Sequence, residues 1–369
     1  MVEWTAVQGL RARLLLLLLR QKPIGAGKVK ILAVVVRYQM PLSESPTLRG
    51  LCDALSSRPD LTQCYTVMIW DNSPEAIVNL QLPIPFLYHH SQVNLGVSSA
   101  YNFAMEYALE HGYEWLLLLD QDTKLTSEFL LAMLRHSLNL LPIQEIAAIA
   151  PTVLVRGCAV SPKRLLVMDR NRKYVQPKQY VLYIAKRLRI LDRNCMYPIG
   201  ECGIAPGEAV AINNGCIMRV ASLRAIGGFS TDFWLDYSDI YLFRQLFEHG
   251  MKVWRAADVK LEHDMTIMDC EHPMTPWRYR SRACAETAFN DLYSSRLENA
   301  IQTLKFFARA IKQRMKYGNP EFSKIAWEQF MYRLRVPRTE RIARWFTESI
   351  KRAAQQADRT DEVGRPVAE

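Results

Sequence analysis

The chain has 369 residues, of which 49% are hydrophobic and 23% charged, so it can bury a large core and is too apolar for a disordered protein. Its net charge of +10 is uneven: residues 276–369 hold 19 Lys and Arg against 11 Asp and Glu, and residues 156–202 hold 11 against 3. The remainder is therefore acidic, which argues against a uniformly basic nucleic-acid binder. Eight cysteines without a C-x-x-C pair argue against a zinc ribbon or a disulfide scaffold and fit a reducing compartment.

Residues 1–27 are predicted to form a basic, apolar N-terminal helix. Leu14–Leu19 is a run of leucines flanked by Arg11, Arg13 and Arg20. A membrane span needs roughly 20 apolar residues, and the apolar region of a signal peptide needs at least about 7. The run is shorter than both. We therefore expect a cytoplasmic protein. The helix fits two placements, on a membrane surface or docked on the chain's own domain.

Apolar, β-rich runs alternate with helical patterns in the first half of the chain. The runs predict strands at 30–38, 65–71, 85–90, 115–120 and 146–155, and apolar periodicity predicts helices at 97–111 and 126–139. Strands and helices in alternation predict an α/β fold whose mainly parallel sheet is flanked by helices. The chain has no G-x-G-x-x-G after the first strand and no P-loop motif, so a dinucleotide dehydrogenase or a P-loop NTPase is poorly supported.

The second half divides by composition. Residues 156–202 have no periodic element and predict a long basic loop. A block over 209–263 returns to mixed apolar patterns. Residues 276–355 predict a basic, helical C-terminal extension, and residues 356–369 a polar tail.

Two aspartates directly follow apolar runs, Asp71 in WDNSP and Asp120 in LLLLDQD. Parallel sheets bind ligands beyond the carboxyl ends of their strands, so both are expected to face one crevice. Asp120 and Asp122 can together hold a hard divalent cation that bridges carboxylates and phosphate oxygens. The alternative is a solvated acidic turn that caps the next helix.

Six segments resemble the family 2 glycosyltransferases, in the family's order. They are VVVRY, WDNSP, NLGVSSAYN, LLLLDQDT, GGFSTDFWLDYSD and a late histidine, His263. The resemblance implies a catalytic domain over 28–265 with the GT-A nucleotide-diphospho-sugar transferase fold and an inverting, metal-dependent sugar transfer. DQDT and FWLDYSD resemble the rhamnosyltransferase-like members, which implies dTDP-L-rhamnose as donor. The basic segments 156–202 and 276–369 favour a glycan or polyprenyl-linked acceptor.

The resemblance also implies a role for each site residue. The nucleotide-sugar site comprises Val36, Tyr38, Asp71, Asn72, Asn94, Gly96, Asn102, Asp120 and Gln121. In that site Asp71 accepts an N–H of the nucleobase, and the backbone at Asn94 and Gly96 approaches the nucleotide. Asp120 and Asp122 hold Mg²⁺ or Mn²⁺, and His263 either completes the coordination or contacts the diphosphate. WDNSP and NLG also fit plain turns.

Inverting transfer requires a base that deprotonates the acceptor hydroxyl as it attacks the anomeric carbon. With the chain aligned on Gly250, Asp239 occupies the position of the family's catalytic acid. Asp236, three residues earlier, is the second candidate because it falls on nearly the same helical face. One departure from the family is Tyr101, which replaces an arginine often found before Asn102.

Two other functions compete with glycosyl transfer. A nucleic-acid-binding protein would need basic and aromatic residues on a common face, whereas the predicted crevice is acidic, so we expect no nucleic-acid partner. A non-catalytic homologue is disfavoured by the joint presence of Asp120, Asp122 and Asp239. The C-terminal segments LKFFARAIKQRMKY and RIARWF either lie on an anionic membrane surface or pack on the catalytic domain. The first placement predicts a peripheral enzyme on the inner face of the cell membrane.

Overall fold

A computed structural model describes residues 29–155, 157–164, 201–263 and 274–349. The predicted N-terminal helix at 1–27, most of the predicted loop at 156–202 and the polar tail at 356–369 lie outside these ranges, so those predictions stay untested.

Strands and helices alternate through the described chain, as predicted. The strands are β1 (Ile31–Arg37), β2 (Tyr65–Asp71), β3 (Phe86–His90), β4 (Trp115–Asp120), β5 (Ile146–Val155), β6 (Cys158–Ser161), β7 (Lys163–Arg164), β8 (Gly203–Ile204), β9 (Ala209–Val210), β10 (Ile217–Arg219) and β11 (Lys252–Glu262). The helices are α1 (Pro46–Ser57), α2 (Pro59–Thr62), α3 (Gly96–His111), α4 (Ser127–Leu140), α5 (Val220–Ala225), α6 (Ser238–Glu248), α7 (Pro276–Tyr293), α8 (Arg296–Met315), α9 (Pro320–Arg335) and α10 (338–349).

The main sheet has the strand order β3-β2-β1-β4-β10-β5-β11-β8, and β6 pairs with β5. β1 is parallel to β2 and β4, β2 is parallel to β3, and β5 is parallel to β11. Because β10 is antiparallel to both β4 and β5, six of the nine strands run in one direction. The predicted α/β fold with a mainly parallel sheet flanked by helices is confirmed.

Helices cover both faces of this sheet, which explains why its strands read as unbroken apolar runs. Ile31, Ala33 and Val35 of β1 belong to a core that includes side chains of α1 and α4. The intervening Leu32 and Val34 belong to a second core that includes side chains of α3 and α6. A strand buried on both faces needs no polar alternation, so the WLLLLD run of β4 is accounted for in the same way.

One prediction for the middle of the chain is wrong in part. Residues 156–202 were expected to form a loop without regular structure, yet the described portion contains β6 and β7. β6 extends the edge of the main sheet, whereas β7 pairs with β9 in a separate antiparallel pair. These strands are too short to give a periodic signal, which is why the sequence did not indicate them.

Two helices of the C-terminal extension, α7 and α10, pack against the segment that precedes α6. The ring of Phe233 lies 6.4 Å from that of Phe289 in α7 and 5.3 Å from that of Trp345 in α10, measured between centroids. The Gln245 amide donates a hydrogen bond of 2.8 Å to the Tyr293 hydroxyl. The extension is therefore attached to the α/β body, and α7 reaches the edge of the crevice.

Part of the positive charge of this extension is interior. Arg341 and Arg333 are buried and lie 2.6 and 3.5 Å from the Asp291 carboxylate. Arg309 binds Glu286 at 2.8 Å. These three ion-paired arginines link the helices to one another, so the unpaired charge of the extension is smaller than the sequence count indicates. Within the described residues, no helix is both long and apolar enough to cross a membrane.

Candidate active site

The predicted acidic residues meet at one edge of the sheet. Asp71 ends β2 and Asp120 ends β4, on either side of β1. In the pairing register Arg37 is the partner of Asp71, and Val36 is the partner of Asp120. The carboxyl ends of parallel strands form the usual crevice of such sheets, and the structure brings the predicted residues to it.

Asp120, Asp122 and His263 form a cluster at this edge. His263 Nε2 lies 3.8 Å from Asp120 Oδ2, and His263 Nδ1 lies 3.9 Å from Asp122 Oδ1. One ligand atom of each side chain lies within 4.8 Å of the other two. Asp120 closes β4, whereas His263 directly follows β11, so the sheet topology joins residues far apart in sequence.

Asn214 holds this cluster in place, and the sequence reasoning missed it. Its Oδ1 accepts hydrogen bonds from the Asp120 N–H at 3.2 Å and from the Thr123 hydroxyl at 2.7 Å. Its Nδ2 therefore faces His263 Nδ1, at 3.1 Å, and donates to it. In a neutral His263 ring the proton is then on Nε2. Of the two roles predicted for His263, this arrangement favours hydrogen-bond donation to a phosphate over coordination through Nε2.

The electrostatics of the carboxylate pair fit a divalent cation. Burial and the adjacent Asp122 carboxylate raise the pKa of Asp120 to about 6, although His263 acts in the opposite direction. Asp122 Oδ1 is buried and has no hydrogen-bond partner among the described residues. A cation held by the two carboxylates would offset their repulsion, and that oxygen would serve as one of its ligands. These residues therefore fit Mg²⁺ or Mn²⁺.

Asp71 is fully buried and already paired. Arg37 Nη1 lies 2.5 Å from Asp71 Oδ2, which also accepts the Tyr88 hydroxyl at 2.8 Å. Asp71 Oδ1 accepts the Ser73 N–H at 3.0 Å. Burial alone raises the pKa of Asp71, but the bonds from Ser73, Arg37 and Tyr88 outweigh it and lower the pKa. In this structure Asp71 organises the WDNSP turn, and its contact with a nucleobase stays a prediction.

Asn72 and Asn94 shape the turn that begins α3. Asn72 Oδ1 accepts the Trp70 indole N–H at 2.8 Å and the Leu95 N–H at 3.2 Å, and its Nδ2 donates to the Gly96 carbonyl at 3.2 Å. Asn94 Oδ1 accepts the Gly96 N–H at 3.0 Å. The end of β2 is thereby fixed to the start of α3.

The position of Gly96 has a structural reason of its own. Its φ is +74°, and a Cβ there would lie 2.5 Å from Trp234 Cε3 and closer still to the Trp234 carbonyl oxygen. That carbonyl accepts the N–H groups of Val97 at 3.0 Å and of Ser98 at 3.3 Å. Gly96 therefore lets the start of α3 dock on the segment that carries the candidate bases, and its approach to a nucleotide stays a prediction.

Three further residues of the predicted nucleotide-sugar site, Asn102, Gln121 and Tyr38, have defined hydrogen-bond partners. The Asn102 amide pairs with the backbone of Phe229, its Oδ1 accepting at 2.7 Å and its Nδ2 donating at 2.8 Å. Gln121 pairs likewise with the backbone N–H of Tyr38, at 2.8 Å, and with its carbonyl, at 3.3 Å. Tyr38 itself is exposed and Val36 is buried. The Asn102 contact fixes the GGF turn to α3, so Asn102 has a structural role in this conformation.

Asp239 lies in the first turn of α6, where its Oδ1 accepts the Ile240 N–H at 2.8 Å. Burial raises the pKa of Asp239 by more than the Ile240 N–H, Lys163 and Arg282 lower it. Asp239 is also close enough to Asp120 to raise its pKa. The predicted base and the carboxylate pair therefore share one crevice, which Lys163 and Arg282 border with positive charge.

Asp236 is placed differently from Asp239. It lies 3.2 Å from Arg278 Nη2 in an ion pair, and its side chain is 8% exposed. Its Oδ2 is buried without a hydrogen-bond partner in the described chain. Burial raises the pKa of Asp236, which Arg278 and Arg282 oppose. No sequence signal pointed to Arg278, because it lies beyond the segment that carries the resemblance.

The chain was compared with known proteins. No family model matches it. A curated relative, the dTDP-rhamnosyl transferase RfbF of Shigella flexneri, is 23% identical over 245 residues, which cover 65% of this chain and 72% of the relative.

Solved structures show a more distant similarity. Two structures of S. aureus TarS are each 12% identical to this chain. The longer TarS chain has a TM-score of 0.42, and the match covers 72% of this chain and 40% of that one. The TarS 1-349 fragment has a TM-score of 0.46, and the match covers 83% of this chain and 81% of the fragment. The mannosyltransferase PcManGT of Pyrobaculum calidifontis, in complex with GDP-Man and Mn²⁺, is 14% identical with a TM-score of 0.40. The match covers 94% of this chain and 81% of the PcManGT chain.

Proposed function

We propose that this chain is an inverting, metal-dependent glycosyltransferase of the GT-A fold that uses a nucleotide-diphospho-sugar donor. The observation that carries the proposal is the Asp120–Asp122 pair at the end of a central strand, within electrostatic reach of the partly buried Asp239. The similarity to RfbF, over 72% of that protein, supports a sugar-nucleotide donor.

The carboxylate pair and its neighbours bind the diphosphate side of the donor. Asp120 and Asp122 would hold a divalent cation, whose Lewis acidity would neutralise the departing diphosphate. His263, oriented by Asn214, donates a hydrogen bond from its Nε2–H to a phosphate oxygen. Arg278 adds positive charge close enough to Asp120 to lower the pKa of that carboxyl.

Asp239 acts as the base. Its carboxylate accepts the proton of the acceptor hydroxyl while the hydroxyl oxygen attacks the anomeric carbon and the bond to the diphosphate breaks, which inverts the configuration. A pKa raised by burial brings this base closer to the working pH, as efficient proton transfer requires. Asp236 is already paired with Arg278, so we assign it to positioning that arginine.

The proposed donor is dTDP-L-rhamnose. RfbF, the curated relative, is named a dTDP-rhamnosyl transferase, and DQDT and FWLDYSD resemble rhamnosyltransferase segments. Tyr38, 43% exposed at the end of β1, offers an aromatic ring at the mouth of the crevice. Val36, Asn72, Asn94, Gly96 and Gln121 complete the proposed donor site around Asp71, while the bond between Asn102 and Phe229 supports its wall.

A donor panel tests this function. Purified protein is incubated with dTDP-L-rhamnose, UDP-sugars or GDP-sugars and Mg²⁺ or Mn²⁺, and nucleotide release is measured with and without EDTA. We expect release from dTDP-L-rhamnose that is lost in EDTA and in Asp122→Asn, whose circular dichroism matches the wild type. Full activity in EDTA contradicts the metal site, and turnover of UDP- or GDP-sugars alone contradicts the rhamnosyl donor.

The acceptor is proposed to be a glycan or a polyprenyl-linked sugar at an anionic membrane surface. On α8, exposed apolar side chains recur along one face at Leu304, Phe307, Ile311 and Met315, with exposures of 63%, 38%, 44% and 81%. At 100° per residue, basic side chains lie on both flanks of this stripe. An apolar stripe between basic flanks suits insertion at a surface of anionic lipid, where each nearby Lys or Arg contributes about 1 kcal/mol.

Vesicle flotation tests the membrane surface. Wild-type protein is expected to float with vesicles of anionic lipid and to be released by salt. Leu304→Glu places a charge in the stripe and is expected to reduce flotation, whereas the control Leu109→Glu changes an exposed leucine of α3. Equal flotation of the two variants, or binding to neutral vesicles alone, contradicts this surface, and a concentration-dependent dimer without flotation assigns the stripe to self-association.

A further inference from the structure

A second group of metal-ligating side chains lies outside the crevice and shares no residue with it. It consists of His136 on α4, Cys202 just before β8 and Asp258 on β11. His136 and Asp258 are 122 positions apart in the chain, so tertiary structure alone brings them together. The proposed transferase chemistry uses none of the three.

The geometry of this group is compact. His136 Nε2 lies 2.9 Å from Asp258 Oδ1, and the Cys202 thiol donates to the same oxygen at 2.8 Å. One ligand atom of each residue lies within 4.8 Å of the other two. Around a tetrahedral Zn²⁺, bonds of about 2.0 to 2.3 Å place neighbouring ligand atoms roughly 3.3 to 3.6 Å apart. The His136–Asp258 and Cys202–Asp258 contacts, at 2.9 and 2.8 Å, therefore need to widen by roughly 0.4 to 0.8 Å to accept the ion.

A distortion of β11 presents Asp258. The register with β5 passes from Ala256 opposite Pro151 to Lys260 opposite Thr152, so residues 257–259 arch out of the strand. Bulges of this kind redirect side chains, and here the Asp258 side chain is 59% exposed while that of His136 is 10% exposed. The group is thus walled by protein on one side and open to a solvent ligand on the other.

The ligand atoms of the three side chains determine which metal the group prefers. Imidazole and thiolate favour Zn²⁺, whereas the all-oxygen preference of Mg²⁺ and Mn²⁺ suits the carboxylate pair in the crevice. A thiolate, a carboxylate and a neutral imidazole carry two negative charges, which balance one Zn²⁺. Binding expels the Cys202 proton to solvent, since the thiolate is the ligand form.

We propose that His136, Cys202 and Asp258 form a zinc site with one open position for water. A metal there cross-links α4, the 201–204 segment and the bulge of β11. The chain thus carries two metal sites of different chemistry, a hard one in the crevice and a softer one beside α4.

Cobalt substitution of the full-length, metal-stripped protein tests the site. A Cys-containing site gives a thiolate-to-cobalt charge-transfer band in the near ultraviolet, which the carboxylate and histidine cluster of the crevice cannot give. We expect the band in the wild type, its loss in Cys202→Ser, and its displacement by one equivalent of Zn²⁺. The exposed-cysteine control Cys158→Ser and the crevice variant Asp122→Asn are expected to keep it.

Two results overturn the proposal: no band in the wild type, or a band that survives in Cys202→Ser, whether or not Cys158→Ser loses it. The wild-type measurement stands alone if a variant fails to fold. Loss of nucleotide-sugar turnover leaves these spectra unaffected, so the zinc site and the proposed function fail independently.

Discussion

The contact between Gly96 and Trp234 permits a quantitative prediction. Gly96→Ala must adopt a φ of +74° and places a methyl group 3.0 Å from the Trp234 carbonyl carbon and closer to its oxygen. The left-handed backbone costs an alanine roughly 1 to 2 kcal/mol. Shifting the carbonyl weakens its two hydrogen bonds from Val97 and Ser98, at about 1 kcal/mol each. After the reduced entropy of the unfolded chain, about 0.4 to 1 kcal/mol, is subtracted, we expect a loss of about 2 to 3.5 kcal/mol in the free energy of unfolding.

Gly112→Ala is the matched control, because Gly112 ends the same helix with a φ of +70° and has no atom within 4 Å of its Cβ position. It shares the backbone strain without the steric overlap, so it is expected to lose only roughly 1 kcal/mol after the reduced entropy of the unfolded chain is included. Urea unfolding followed by far-ultraviolet circular dichroism measures both. A Gly96→Ala variant that loses no more stability than Gly112→Ala refutes the steric reasoning.

Further predictions concern burial, protonation and metal binding. Asp71→Asn is expected to lose about 3 to 5 kcal/mol of unfolding free energy at neutral pH. Because the pKa of Asp71 is lowered on folding, the stability difference between wild type and variant should shrink as the pH falls below about 4. A difference that persists in acid contradicts this prediction. Arg282→Gln should raise the pKa of Asp239 and move the acidic limb of the kcat profile to higher pH, whereas an unmoved limb contradicts that coupling. Asn214→Ala is expected to weaken Mn²⁺ binding about 10- to 100-fold by calorimetry, and an unchanged affinity excludes its supporting role.

The strand pattern was readable because each central strand is buried on both faces. WLLLLD is apolar without interruption until it reaches Asp120, and that interruption marked the edge of the sheet. At the start of α4 the Thr126 hydroxyl accepts the Phe129 N–H at 3.2 Å, a capping contact between residues three positions apart. These features depend on neighbouring residues, so the local sequence contains them.

Other parts of the site depend on partners far away in the chain. Asn214 lies 94 residues from Asp120, and nothing in INNGC beyond a turn signal marks it as a support for the acidic cluster. Arg278 enters from the C-terminal extension, where its charge looked like one of many surface cations. The amides of Asn102 and Gln121 are engaged by backbone groups whose positions only the tertiary structure defines. Long-range hydrogen bonds of this kind leave no periodic trace.

The most direct test of the proposed mechanism compares Asp239→Asn with Asp236→Asn in donor binding and in turnover. Removing the base is expected to leave the Kd for the donor nearly unchanged while kcat falls roughly 10²- to 10⁴-fold in Asp239→Asn. Asp236→Asn should be milder, because an amide can still accept a hydrogen bond from Arg278. A wild-type kcat in Asp239→Asn, or a larger loss in Asp236→Asn, contradicts the assignment of Asp239 as the base.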